Sequence, residues 1–316
     1  MSIHMLQGTP TAQGITMAIE APVAEAYGLW AWLVQPFIEF GFMQNALLGC
    51  VLLSVSAAPV GVFLMLRRMS LTGDAMAHGI LPGAALGYVY AGLSLGAMTV
   101  GGLLAGVAVA VASGLVARHT VLREDTSLAA FYLLSLSLGV LMVSSKGNNV
   151  DLLHVLFGTV LALDGDALWL LGGVTLITVV ALLLMFRPLV LECLDPAFLR
   201  SVSGWSPVAH YGFLVLLVLN LVAGFHALGT LMAVGLVVLP GAAARFWVRD
   251  IRPLLLLAAL LALVGSTTGL LVSYHADLPS GPAIVLALSV LMLSSLLVGP
   301  HGVLRSRIQP SRHLRA

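Results

Sequence analysis

From residue 42 onward the chain is a series of long apolar runs, each closed by charged residues or by Gly, Pro or Asn. A helix needs about 20 apolar residues to cross the hydrocarbon core of a bilayer. Nine runs qualify, covering approximately 42–66, 73–92, 96–117, 126–145, 166–186, 207–223, 226–247, 254–272 and 282–299. The stretch 22–41 reads differently, because Glu25 and Glu39 lie among Trp30, Trp32, Phe37 and Phe40. That mixture predicts an amphipathic helix at the membrane interface. The connection 146–166 is long, and its apolar part, 150–163, is too short to span. It predicts a re-entrant segment packed within protein, since bare loops are not tolerated in lipid. The pattern therefore predicts an all-α polytopic membrane protein of about nine transmembrane helices, with eight to ten as the range. It has an N-terminal extension over 1–41, a transmembrane domain over 42–300 and a basic tail over 301–316.

Composition agrees: 60% of residues are hydrophobic and 9% charged, against about 25% charged in a soluble domain. Charge then orients the helices. Arg67 and Arg68 follow span 1, Arg118 and Arg123 span 3, and Arg187 and Arg200 span 5. Arg245, Arg249 and Arg252 follow span 7, and Arg305, Arg307, Arg312 and Arg315 span 9. Only Lys146 falls in the other set of loops. Positive charge is retained on the cytoplasmic side, so odd spans run inward and the C-terminus is cytoplasmic. The balance of 14 basic to 13 acidic residues leaves no basic face for nucleic acid. Cys50 and Cys193 have no metal or disulfide spacing, and the first 40 residues lack the basic segment of a signal peptide.

The string Leu81-Pro82-Gly83-Ala84-Ala85 recurs as Leu239-Pro240-Gly241-Ala242-Ala243. The offset maps span 1 onto span 6 and span 2 onto span 7, and the charge-derived topology runs each pair in opposite directions. This predicts an inverted repeat, whose Pro-Gly helices (Pro82, Gly83 and Pro240, Gly241) flank a transport path. Two unrelated kinks in helices packed through small residues are the alternative.

Span 2 opens with Asp74 and His78, four residues apart on one helical face. Ionisable groups inside a span point to function, and one oxygen with one nitrogen ligand suits Zn²⁺, Mn²⁺ or Fe²⁺. Alternatively, Asp74 caps the helix and His78 bonds a backbone carbonyl. His226, at the head of span 7, is a further candidate on the outer side, with weaker ones at Asp151, His154, His275 and Asp277. On the cytoplasmic side, Asp195 can cap a short helix with Pro196 at its first position and Gly204 at its end. Such a helix would present Phe198 and Leu199 beside Arg200 to a partner protein. The chain has no GxxxxGK[ST], HExxH or GxSxG motif, so it can neither hydrolyse ATP by a P-loop mechanism nor match these enzyme classes.

The run Arg67-Arg68-Met69-Ser70-Leu71-Thr72-Gly73-Asp74-Ala75-Met76-Ala77-His78 resembles the signature of the metal-type (zinc/manganese/iron) permeases of ATP-binding-cassette importers. The resemblance continues through Gly229 to Ala243 and through Asp277-Leu278-Pro279-Ser280-Gly281-Pro282. It implies a multi-pass subunit of the bacterial inner membrane, paired with a second copy, two cytoplasmic ATPase subunits and an extracytoplasmic metal-binding protein. It also implies that Asp74 and His78 line the metal path, that residues 195–204 are the coupling helix, and that transport proceeds by alternating access. No resident cofactor is expected, the metal is cargo and ATP binds the partner subunit. His154 and His226, as added imidazoles, make zinc the expected metal. The competing readings are a siderophore- or cobalamin-type permease and a proton-driven secondary transporter.

Overall fold

The computed structural model describes residues 29–92, 94–145 and 163–303. Among the described residues there are eleven α-helices and no strand. They are α1 (Leu29–Glu39), α2 (Gly41–Leu66), α3 (Ser70–Ala91), α4 (Leu95–His119), α5 (Glu124–Ser145), α6 (Gly165–Leu194), α7 (Pro196–Val202), α8 (Trp205–Leu228), α9 (Thr230–Arg245), α10 (Ile251–Ala276) and α11 (Ser280–Val298). Eight of the nine apolar runs each correspond to one helix, and the run 226–247 is divided at Gly229 between the end of α8 and α9. The expected re-entrant segment, with Asp151 and His154, lies outside the described residues.

Seven of these helices are long and apolar enough to cross a membrane. The two that fall short are α3 and α9, the helices that carry the Pro-Gly strings. In α3 the apolar run is diluted by Asp74, His78 and four glycines. Helix α9 has only 16 residues, roughly 24 Å at 1.5 Å per residue, against a core about 30 Å thick. Both are sheltered by neighbours instead of relying on lipid, which is where short, interrupted helices are tolerated.

The packing has two matching halves. Helix α3 packs on α4 and α5, and α9 packs in the same way on α10 and α11. The leading helix of each half crosses to the other: α2 lies against α9 and α10, and α8 lies against α3 and α4. Helix α6 bridges α2 and α8. Because α2 and α8 are packed against both halves, 72% of each span is buried, against 17–39% in the other long helices. An exchange of α2–α5 with α8–α11 thus preserves the contacts, as an inverted repeat requires.

Small residues set the closest approaches. A Cβ on Gly61 of α2 would collide with the Val237 carbonyl of α9, and Gly83 of α3 meets Gly101 of α4 backbone to backbone. In lipid, where burial of apolar surface supplies no drive between helices, such contacts hold the bundle by dispersion. Gly61→Val is therefore expected to overpack the α2–α9 seam. A loss of about 1–3 kcal/mol or more should appear as a lower thermal midpoint of the purified chain in detergent. An unchanged midpoint would show that the seam is not rigid.

Helix α1 sits at the junction of α2 and α10. The Trp32 indole stacks on His275, with centroids 4.5 Å apart and planes within 7°, and Nε2 of His275 lies 3.0 Å from the Trp32 carbonyl oxygen.

Candidate metal pathway

Helix α3 begins at Ser70, and Met69 caps it without any side-chain bond. Asp74 is therefore an interior residue and cannot be the cap. Four residues on, Nε2 of His78 stands 3.8 Å from Oδ1 of Asp74. Among the described residues neither side chain bonds a backbone group; the imidazole otherwise faces the Tyr132 ring of α5, 6.4 Å away. Both groups are open in the single chain, with 65% of the Asp74 side chain and 42% of the His78 side chain exposed. Metal bonds of about 2.0–2.2 Å to each would reach at most roughly 4 Å between the two atoms. The pair already stands at bridging separation.

The other candidates do not join it. His226 does not head α9: it lies in the last turn of α8, which runs to Leu228 before Gly229, at φ +85°, breaks the chain direction. The sequence reading missed this because the apolar pattern continues through the break and only the glycine marks it. His275 is engaged by Trp32, and Asp277, at φ 52°, forms the left-handed end of α10. Among the described residues no group of three or more His, Cys, Asp or Glu could hold a metal. The described part of one chain thus offers a two-ligand site.

The short helix expected on the cytoplasmic side forms as α7. Oδ1 of Asp195 accepts a hydrogen bond from the Phe198 N–H at 2.9 Å, and Pro196 occupies the first turn. Two details differ from expectation. Gly204 does not end α7: Ser203, in extended backbone, does so, and Oγ of Ser203 accepts from the Trp205 N–H at 3.1 Å. Gly204 instead precedes α8 at an ordinary φ of −71°. Leu199 is not displayed either, being 4% exposed and turned into the body of the protein. The outward apolar surface is Phe198 and Val202, with Trp205 beyond. A seven-residue helix needs one face to anchor it, and Leu199 supplies that anchor.

Sequence reasoning overlooked a buried charge cluster between α7 and the body. Nη2 of Arg67 donates to Nδ1 of His210 at 2.6 Å. A guanidinium can only donate, so the His210 proton resides on Nε2, which faces Oε1 of Glu124 at 3.2 Å without hydrogen-bond geometry. Oε1 of Glu192 lies 3.8 Å from Nη2 of both Arg67 and Arg118. The arginines rest on aromatic faces, Arg67 over Phe213 and Arg118 over Tyr211, each 5.1 Å from the ring centroid. The side chains of Arg67 and Glu192 are 8% and 4% exposed. The available signal was an ionisable residue within two turns of the ends of α2, α4, α5, α6 and α8. Read only as topology markers, these residues look exposed; five helix ends converging makes them interior.

The cluster is placed to connect two parts of the chain. Glu192 lies three residues before Asp195, the cap of α7. Arg67 caps the C-terminus of α2 three residues before α3 begins, and α3 carries Asp74 and His78. The Arg67–Glu192 ion pair thus lies between the segment leading into α7 and the start of the helix that bears Asp74 and His78.

Comparison with known proteins agrees with this architecture. The pattern of the ABC 3 transport family matches residues 39–299. The chain is 32% identical over 262 residues to the manganese import system permease protein ScaB of Streptococcus parasanguinis, covering 83% of this chain and 92% of that one. It is 30% identical over 259 residues to the probable iron transport system membrane protein of Haemophilus influenzae, covering 82% and 93%. Among solved structures, PsaBC from Streptococcus pneumoniae in complex with Fab superimposes with a TM-score of 0.75 at 27% identity, covering 86% of this chain and 97% of that one. An all-helical membrane bundle with two interlocked halves and a sequence match over most of its length make this chain a member of the ABC 3 transport family, the permeases of ATP-binding-cassette metal transporters.

Proposed function

We propose that two copies of this chain form the membrane path of an ATP-driven importer of a first-row divalent metal, with Asp74 and His78 of each copy as pathway ligands. The supporting observation is the exposure of that pair on the single chain. Ionisable groups within membrane helices almost always face the bundle interior or a water-filled cavity, so this exposed face calls for a covering partner or a water-filled path. Apposing the α3 faces of two protomers provides both and brings four ligands together.

Manganese is the better-supported cargo. The sequence-based case for zinc relied on His154 and His226, whereas relatives at 31–32% identity are named for manganese transport. A carboxylate beside an imidazole accommodates either ion. In the proposed cycle an extracytoplasmic binding protein delivers the metal, and cytoplasmic ATPase subunits grip α7 through Phe198 and Val202. ATP binding then draws α7, and with it Glu192 and Arg67, toward the ATPase, tilting α3. In this reading the C-terminus and α7 share the cytoplasmic side, which the arginine distribution supports.

Uptake of manganese and zinc in competition, by cells carrying the whole transporter, tests the assignment. Manganese is expected to be taken up in preference, with ATP required, and Phe198→Glu should release the ATPase from the purified complex. Zinc preference would restore the alternative cargo. Transport by the chain alone in ATP-free liposomes would overturn the reading in favour of a proton-driven carrier.

A further inference from the structure

Between the ends of α2, α4, α6 and α8 and the first turn of α7 lies a cavity of about 690 Å³, within the size range of small-molecule sites, about 300–1,000 Å³. Five arginines line it: Arg67, Arg68, Arg118, Arg123 and Arg200. Among the described residues only two carboxylates, Glu124 and Glu192, face the same space, and both lie against groups of the buried cluster. The wall therefore has a surplus of positive charge, without a lysine in it. Arg68 and Arg123 have no ion-pair partner among the described residues. Nη1 of Arg67, on a side chain more than nine-tenths buried, has no hydrogen-bond partner. The backbone of Arg68 is in the left-handed region at φ 59°, a conformation a non-glycine residue keeps only when its surroundings impose it.

We propose that this cavity binds a phosphate group, taken from the headgroup of an anionic phospholipid or from free phosphate. Guanidiniums match phosphate oxygens two at a time. Basic recesses between membrane helices on the cytoplasmic side are where anionic headgroups are held. Leu66, Met69 and Leu122 complete the wall with apolar surface, which suits the glycerol and acyl portion of a lipid more than a hydrated free ion. A bound phosphate would offset the excess charge above α7 and steady the Arg67–Glu192 connection. The inference concerns a different part of the chain from Asp74 and His78, and its test involves neither metal nor ATPase, so it stands or falls apart from the proposed transport function.

The test uses the full chain purified in neutral detergent, incubated with phosphatidylglycerol or phosphatidylcholine and examined by native mass spectrometry, with inorganic phosphate as a separate arm. Wild type is expected to retain phosphatidylglycerol at least tenfold over phosphatidylcholine. Arg68→Asn combined with Arg123→Gln should abolish that preference without altering the lipid-free thermal midpoint, because neither residue belongs to the buried cluster and asparagine tolerates a left-handed backbone. Displacement of the lipid by millimolar phosphate, with phosphate binding alone, would identify the free ion as the ligand. Equal retention of both lipids without phosphate binding would overturn the proposal. So would retention of that preference by the double variant.

Discussion

Asp74→Ala and His78→Ala are each expected to reduce metal uptake by about 100-fold or more while leaving insertion and assembly intact. The magnitude follows from their proposed role as direct ligands, since removing even an outer partner of a metal ligand costs about 10–100-fold. The selectivity of the defect follows from exposure. With 65% and 42% of these side chains open in the single chain, truncation removes little packing within the protomer. Uptake of the radioactive metal, normalised to the amount of complex recovered from membranes, separates transport from assembly. Wild-type uptake by either variant at normal abundance would exclude the pair from the pathway.

Glu192→Gln should act through stability. It leaves Arg67 and Arg118 beside a neutral amide, with Arg67 almost entirely buried. Breaking a buried ion pair by removing one partner costs about 3–5 kcal/mol, because the remaining charge is uncompensated. The purified chain should unfold at a markedly lower temperature. Combining Glu192→Gln with Arg67→Met should cost less than the two changes summed, by about 0.5–3 kcal/mol, the usual coupling between groups in one network. Strict additivity would show that Arg67 and Glu192 do not interact and would remove the proposed route from α7 to α3. Metal uptake with ATP hydrolysis measured in parallel gives a second readout, since a severed route leaves hydrolysis running without transport.

The sequence carried most of the fold because a bilayer reduces folding to a one-dimensional problem. Every backbone polar group in lipid must be satisfied within its own helix, so each long apolar run could become only one thing. Asp74 and His78 were visible for a related reason: ionised groups are rare enough inside spans that two on one face stand out. Leu199 and Gly204 show where the same reasoning fails. In a short helix at the surface the inward side is set by tertiary contact, and a glycine beside a turn need not be the residue that makes it.

The nine apolar helices among the described residues, the expected orientation by charge and the Asp74–His78 spacing were legible in the sequence alone, since each depends on local composition measured against the thickness and polarity of the membrane. Tertiary structure decided the crossing of α2 and α8 between the halves, the end of α8 at Gly229, and the gathering of Arg67, Arg118, Glu124, Glu192 and His210 into one buried cluster. Those residues lie far apart in the chain, on the ends of different helices. Only the packing of those ends turns solitary topology markers into interacting charges.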